Sequence, residues 1–179
     1  KVATYLNGAW NAAQTVATCA IPGLVQHLSI DIAPTGDGVL AYDCIDAPAS
    51  HSFGMRITPQ LGFSSPAEMA LNHNARNPEV AVEVVGSLMY VTAAWQQFNG
   101  SNYDVAASTL LVLLSNPGIG AFNASGVLLA SYPGLDALHV EVARAAGREA
   151  VVWSRGTQEV LAATQVAPGC GGLTATAVA

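Results

Sequence analysis

The chain predicts an all-β fold, an antiparallel jelly-roll β-sandwich with one short helix. Three observations support this. Segment after segment alternates apolar and polar residues with period two. Gly, Pro, Asn and Asp interrupt these segments about every 8–12 residues, the spacing of a sandwich or barrel. Only one stretch carries a clear helix start.

In chain order, Leu28, Ile30 and Ile32 alternate with Ser29 and Asp31, which reads as a strand buried on its apolar side. Pro34-Thr35-Gly36-Asp37-Gly38 is the turn after it. Val39–Ile45 sets Leu40, Tyr42 and Cys44 against Ala41 and Asp43, and Asp46-Ala47-Pro48 stops it. Phe53–Thr58 is a shorter strand closed by Pro59. Ser65-Pro66-Ala67-Glu68 places Ser at the N-cap, Pro at the first helical position and Glu three residues after the cap. The Glu can then return a bond to the cap amide. A helix follows through Met69, Ala70 and Leu71 and ends over Asn72–Asn77, because Pro78 forbids continuation. Val80–Val84 and Leu88–Ala94 are strands, and Asn99-Gly100-Ser101-Asn102 is a loop. Thr109–Leu114 reads as a strand buried on both faces, and Gly126–Tyr132 is the next. Residues 135–146 fit either a strand or a helix. The alternation of Leu138, Val140 and Val142 with His139, Glu141 and Ala143, followed by Ala150-Val151-Val152-Trp153, favours a strand meander. Glu159–Val166 adds a last strand. Residues 1–166 thus read as a single domain and 167–179 as an extended C-terminal tail. No internal repeat is visible.

Composition narrows the function classes. Charged residues make up 10% of the 179, against roughly 25% in an average soluble domain. Six basic side chains and a net charge of −6 are too little positive charge to grip a nucleic-acid backbone unaided. Interface cores are depleted in Lys, Glu and Asp, so the low charge favours a subunit whose surface is covered by partners. The chain starts at Lys1 without methionine, which reads as a processed product or a trimmed segment, and its longest apolar run, Leu110–Leu114, is far too short to span a bilayer.

Each residue set that could carry chemistry has a plainer explanation. Cys44 with His51 could be a nucleophile and base, but the neighbouring Asp43 and Asp46 would raise a thiol pKa where activation must lower it. Cys44 is therefore expected in the core, and Cys19, Cys44 and Cys170, odd in number, are expected as buried or reduced thiols. One disulfide with a free thiol is the alternative. His27, His51, His73 and His139 share no metal-ligand spacing, and His139 is expected to face solvent. Asp31, Asp37, Asp43 and Asp46 gather around one turn and could hold calcium, although solvated turn carboxylates are the ordinary case. Gly118-Ile119-Gly120 lacks the third glycine of a dinucleotide loop. Asn99 and Asn123 head glycosylation sequons. Arg144, Arg148 and Arg155 form a sparse basic cluster. No catalytic, cofactor-binding or metal-binding residue is assigned, and the chain is expected not to be an enzyme.

Three runs together resemble viral jelly-roll coat proteins of the picorna-like plant viruses, the comovirus and nepovirus group. They are the stretch from Leu28 through Gly38-Val39-Leu40-Ala41-Tyr42-Asp43-Cys44-Ile45-Asp46-Ala47-Pro48, the helix segment Ser65–Asn72, and Val80 to Pro117 ending in Ser108-Thr109-Leu110-Leu111-Val112-Leu113-Leu114-Ser115-Asn116-Pro117. The pattern covers about two-thirds of the chain, a domain-sized share. Two departures stand out: more strands follow Pro117 than such a domain usually has, and there is no basic arm. The resemblance implies release from a polyprotein and assembly into an icosahedral virion with copies of itself or sister coat proteins. It also implies weak or no direct contact with nucleic acid, no membrane and no cofactor. The competing expectation is a secreted, extracellular β-sandwich binding module, lectin- or adhesin-like, with calcium at the Asp cluster.

Overall fold

The computed structural model describes all residues except 4, 7, 20–22, 47–48, 61, 70–73, 117–118, 120–126, 132, 157–158, 167–173 and 178–179. Two short strands, β1 (Tyr5–Leu6) and β2 (Ala9–Trp10), form a small N-terminal ribbon. The remaining strands form three four-stranded antiparallel sheets, each built from consecutive strands. The first holds β3 (Leu24–Ile32), β4 (Gly38–Asp46), β5 (Ala49–Ile57) and β6 (Ala67–Glu68). The second holds β7 (Ala75–Val85), β8 (Leu88–Phe98), β9 (Tyr103–Leu113) and β10 (Val127–Ala130). The third holds β11 (Ala137–Ala145), β12 (Arg148–Arg155), β13 (Glu159–Val166) and β14 (Thr174–Ala177).

The all-β, antiparallel expectation holds, and residues 137–145 are a strand. The strand order is not that of a jelly roll. A jelly roll interleaves distant strands through Greek-key connections, whereas each sheet here is a meander whose neighbours are also neighbours in sequence. The repetition that the sequence does not advertise is therefore real at the level of sheets.

The expected helix is absent among the described residues. Ala67 and Glu68 instead pair with Gly54 and Phe53 as the edge strand β6. Met69 donates its amide to the Ser52 carbonyl at 2.8 Å and is fully buried. Local capping stabilises a helix by only about 1 kcal/mol, and a buried ladder position outweighs it. Asn77-Pro78, expected to close that helix, lies inside β7 at an irregularity between Arg76 and Glu79. Asn77 has φ 50° there, and a bulge is where a strand tolerates proline.

The three sheets stack face to face in chain order. Val39 and Ala41 of the first sheet share a core with Val80, Val82, Met89, Val91 and Trp95 of the second. The opposite face of the second sheet, through Ala94, Val105 and Ala107, packs on Val140, Val151, Trp153 and Leu161 of the third. The first strands β3, β7 and β11 are successive neighbours. Hairpin geometry keeps the ladders tight: Gly38 pairs with Ile32, and a Cβ at Gly38 would come within 2.5 Å of the Asp31 carbonyl oxygen.

Two burial expectations change. The apolar side of β3 faces outward, with Leu28 63%, Ile30 52% and Ile32 47% exposed, while Ser29 and Asp31 turn toward the second sheet. Likewise Thr109–Leu114 is not buried on both faces, since Leu111 and Leu113 are exposed. By contrast β4 is buried on both, with Val39, Ala41 and Asp43 on one side and Leu40, Tyr42 and Cys44 on the other.

Cys19 and Cys44 form a disulfide, which corrects the expectation of reduced thiols. It clamps Val16, Ala17 and Cys19 over Tyr42 and Met55 on the outer face of the first sheet. Cys170 lies outside the described residues. The stretch expected as an extended tail supplies β14, whose Thr174–Ala177 pairs with Leu161–Thr164.

Candidate functional site

All three first strands carry a one-residue irregularity near their N-terminal ends, at 25–28 in β3, 76–79 in β7 and 138–141 in β11. Asn77 and His139 both adopt a φ of 50° at these places. Bulges re-aim side chains and recur beside functional sites, and non-glycine residues with positive φ are uncommon. Here they gather a polar cluster at one end of the three first strands.

Asp43 organises it. Its carboxylate is buried and accepts from the amides of Gln26 (3.1 Å) and His27 (2.7 Å) in its own sheet and of Asn77 (3.1 Å) in the next. The bulge amides that the ladders leave unpaired thus find a charged acceptor. Held in this way, His27 places Nε2 2.6 Å from Oε1 of Glu79. The two side chains are 34% and 18% exposed, so the pair sits at the surface of the cluster. Beside it, Asn77 donates to Gln96 Oε1 at 2.7 Å, and Arg76 Nε donates to the same oxygen at 2.8 Å. Gln96 in turn donates through Nε2 to the Ala137 carbonyl at the start of β11, tying in the third sheet. The Arg76 guanidinium lies 3.4 Å from the ring centroid of Tyr103, a cation–π contact.

A second polar network lies deeper, between the second and third sheets. Arg144 donates through Nη1 to Glu149 Oε2 at 2.5 Å and to Thr92 Oγ1 at 3.0 Å. Thr92 and Thr109 hydroxyls donate to the same carboxylate. Glu83 sits 3.4 Å from Arg144 Nε and accepts the Gly147 amide at 3.0 Å. Arg144 and Glu149 side chains are 2% and 4% exposed, so this network joins sheets and offers nothing to a ligand. Arg56 and Asp37, 2.8 Å apart and buried, do the same between the first and second sheets, where Arg56 also donates to the carbonyls of Leu113 and Leu114. Burial raises the pKa of the Tyr42 hydroxyl, which lies under the disulfide-clamped segment.

The residues singled out from sequence fall mostly outside the cluster. Cys44 faces His51 across the β4–β5 ladder, but its sulfur is bonded to Cys19 and no thiol remains. His51 Nδ1 instead meets Glu68 at 2.8 Å. The Asp group does not converge: Asp31 accepts the Val82 amide, Asp37 pairs with Arg56 and Asp43 serves the bulges. Asp37 and Asp43 are buried, not solvated turn residues, because each answers a buried donor. The Asp46 side chain, His73, Gly118, Gly120 and Asn123 lie outside the described residues, while Ile119 is a core residue. Among the described residues no group of three or more His, Cys, Asp or Glu could hold a metal ion. His139 is exposed as expected. Asn99 accepts the amides of Ser101 and Asn102 in its turn. The basic cluster is dispersed: Arg144 is buried, Arg148 is exposed and Arg155 pairs with Glu159. Glu79, Asn77, Arg76, Gln96 and Tyr103 belong to no motif legible in the sequence. The available signal was Asn77-Pro78, a breaker pair within a Val-rich strand.

No family model matches the chain, and no curated protein matches it. Among solved structures it is similar to an α-L-arabinanase of Penicillium chrysogenum complexed with arabinobiose, with TM-score 0.49 and 13% identity over 94% of this chain and 51% of that one. It is also similar to an exo-1,5-α-L-arabinanase from a bovine ruminal metagenomic library, with TM-score 0.37 and 10% identity over 94% of this chain and 86% of that one. The chain spans about half the length of the first. At these values the likeness assigns neither family nor activity. Both structures are nevertheless of enzymes, and neither is a coat protein. With the meander order of the sheets, this corrects the coat-protein resemblance and, of what was drawn from it, the capsid role, the virion location and the non-enzymatic reading. The lectin- or adhesin-like sandwich is corrected with them.

Proposed function

We propose that this chain is a three-blade arc of a β-propeller-type protein that processes glycans, with its site at the bulged ends of β3, β7 and β11. Consecutive four-stranded meanders stacked with their first strands adjacent are the propeller pattern. The observation that carries the reading is the partly buried His27–Glu79 pair, held by Asp43 and flanked by Asn77, Gln96 and Arg76. Amide, imidazole and carboxylate groups side by side suit a hydroxyl-rich ligand, since each hydroxyl both donates and accepts. Glu79 is the group placed to protonate the leaving glycosidic oxygen as its bond to the anomeric carbon breaks, water adds to that carbon, and the water's proton returns to the Glu79–His27 pair, whose members are 2.6 Å apart. Asp43 positions both bulges and does not itself reach the ligand. The Cys19–Cys44 disulfide supports an extracellular setting, where such bonds persist.

Reducing-end release from a panel of plant and microbial polysaccharides tests this reading. Glu79→Gln keeps the shape of the cluster and is expected to lower release by about 100-fold or more, the scale of general acid–base catalysis. Full activity in that variant, or no release by the parent chain from any polymer, would sink the proposal.

A further inference from the structure

Of the six basic residues in the chain, Arg76 is in a position unlike the others. Arg56, Arg144 and Arg155 each pair with a carboxylate, and Lys1 and Arg148 are exposed. Arg76 is partly buried and, among the described residues, meets no carboxylate. Its Nε donates to Gln96 Oε1 at 2.8 Å, and its guanidinium lies 3.4 Å from the Tyr103 ring centroid. Among the described residues no acceptor meets its two Nη groups, so they keep their donors. A positive charge held partly out of water without a counter-ion is costly, and a ring face offsets only part of that cost.

The acids at this end of the sheets are already engaged. Asp43 accepts the amides of Gln26, His27 and Asn77, Glu79 meets His27, and Asp136 Oδ1 accepts the Tyr103 amide at 2.8 Å. Arg76 is also fixed in place. Gln96 is buried and anchored on the Ala137 carbonyl. Tyr103 opens β9 and lies against Phe98, its partner on β8, with ring centroids 5.2 Å apart. Hydrogen bonds run without a break through Arg76, Gln96, Asn77, Asp43, His27 and Glu79, so the guanidinium and the acid pair share one network. Arg76, Gln96 and Tyr103 all belong to the second sheet, whose two faces are covered by the first and the third.

We infer that Arg76 seats the carboxylate of an acidic sugar, so that the glycan taken at this site carries uronate units; this rests on the glycan-processing reading of the same site. The two Nη groups form a planar fork that matches the two oxygens of a carboxylate. Stacking on Tyr103 sets the plane of the fork in advance, so less freedom is lost when the anion arrives.

Calorimetric titration of the full chain with trigalacturonate and with a glucuronate-bearing xylo-oligosaccharide, each beside its own carboxyl-reduced form, tests this. At least one acid form is expected to bind about 10-fold or more tightly than its reduced form, the scale of a charge-assisted pair. High salt is expected to shrink that preference. Arg76→Gln should abolish it, and Arg76→Lys should keep part of it, because lysine retains the charge and loses the fork. Melting temperatures show whether both variants fold. Four results would each overturn the inference: no binding of either uronate, equal binding of acid and reduced forms by the parent, a preference that survives in folded Arg76→Gln, or tighter binding of a sulfated galacto-oligosaccharide than of both uronates. Selective binding with no release from any polymer would uphold the acid seat and sink the hydrolytic reading. Release from neutral polymers without acid selectivity would do the reverse.

Discussion

The second sheet is covered on both sides, yet its two interfaces differ in chemistry. Toward the first sheet it presents Val80, Val82, Met89, Val91 and Trp95, a dry aliphatic and aromatic layer. Its polar contacts on that side flank this layer: the amides of Val80 and Val82 reach Ser29 and Asp31, Asn77 and Glu79 meet Asp43 and His27, and Arg56, paired with Asp37, binds the carbonyls of Leu113 and Leu114. Toward the third sheet it presents Glu83, Thr92, Thr109 and Gln96, whose side chains bond to Arg144, Glu149 and the Ala137 carbonyl. The first interface depends on volume and the second on pairing. A dry layer loses stability in proportion to the cavity a substitution leaves. A buried network fails abruptly when one charge loses its partner.

The largest expected effect comes from breaking the network. Glu149→Leu removes the carboxylate on Nη1 of buried Arg144, leaving it only the 3.4 Å contact to the Glu83 carboxylate, and is expected to cost about 3–5 kcal/mol in urea unfolding. The double variant Arg144→Met with Glu149→Leu sharpens the contrast, since an apolar replacement of the whole pair is expected to recover most of the loss. A double variant as unstable as the single one would show that the charges do more than satisfy each other. Next comes the dry layer. Met89→Ala opens a cavity beside Val91 and Trp95 and is expected to cost about 2–5 kcal/mol, whereas Met89→Leu should stay below about 1.5. Equal losses for the two would contradict a volume-controlled interface. Smaller again is the clamp on the free side of the first sheet. Cys19→Ser opens a loop with a sequence separation of 25 and is expected to cost about 2–4 kcal/mol, the usual range for a disulfide. Because that segment covers only the outer face of the first sheet, Cys19→Ser should leave hydrogen-exchange protection in β12 and β13 unchanged. Loss of protection there would show that the outer clamp and the inner interfaces unfold together.

Strand positions were legible in the sequence, and their pairing partners much less so. Glu159–Val166 and the cores of β4, β7, β8 and β12 follow from alternation and turn residues. The segment Ser65–Glu68 shows the reverse. Its capping signals are local and correct as local signals, yet the ladder to Phe53 and Gly54 takes the residues instead. In β3 the alternation specifies a strand but not its buried side, because period two sets two faces apart without saying which one meets protein. Of the candidate site, His27 was visible only as a lone histidine. Glu79 sits 52 positions away in sequence, and no spacing rule connects them.

The sequence by itself determined that this is a strand-built chain, poor in charge, with turns that set short hairpins; these are properties of neighbouring residues, and alternation and turn chemistry encode them directly. Only the tertiary structure decided that the strands form three stacked meanders, that Cys19 reaches Cys44, that Asp43 serves two sheets at once and that His27 meets Glu79. Those facts depend on which sheet faces which, and a sheet face is chosen by the sum of many weak contacts made between residues far apart in the chain.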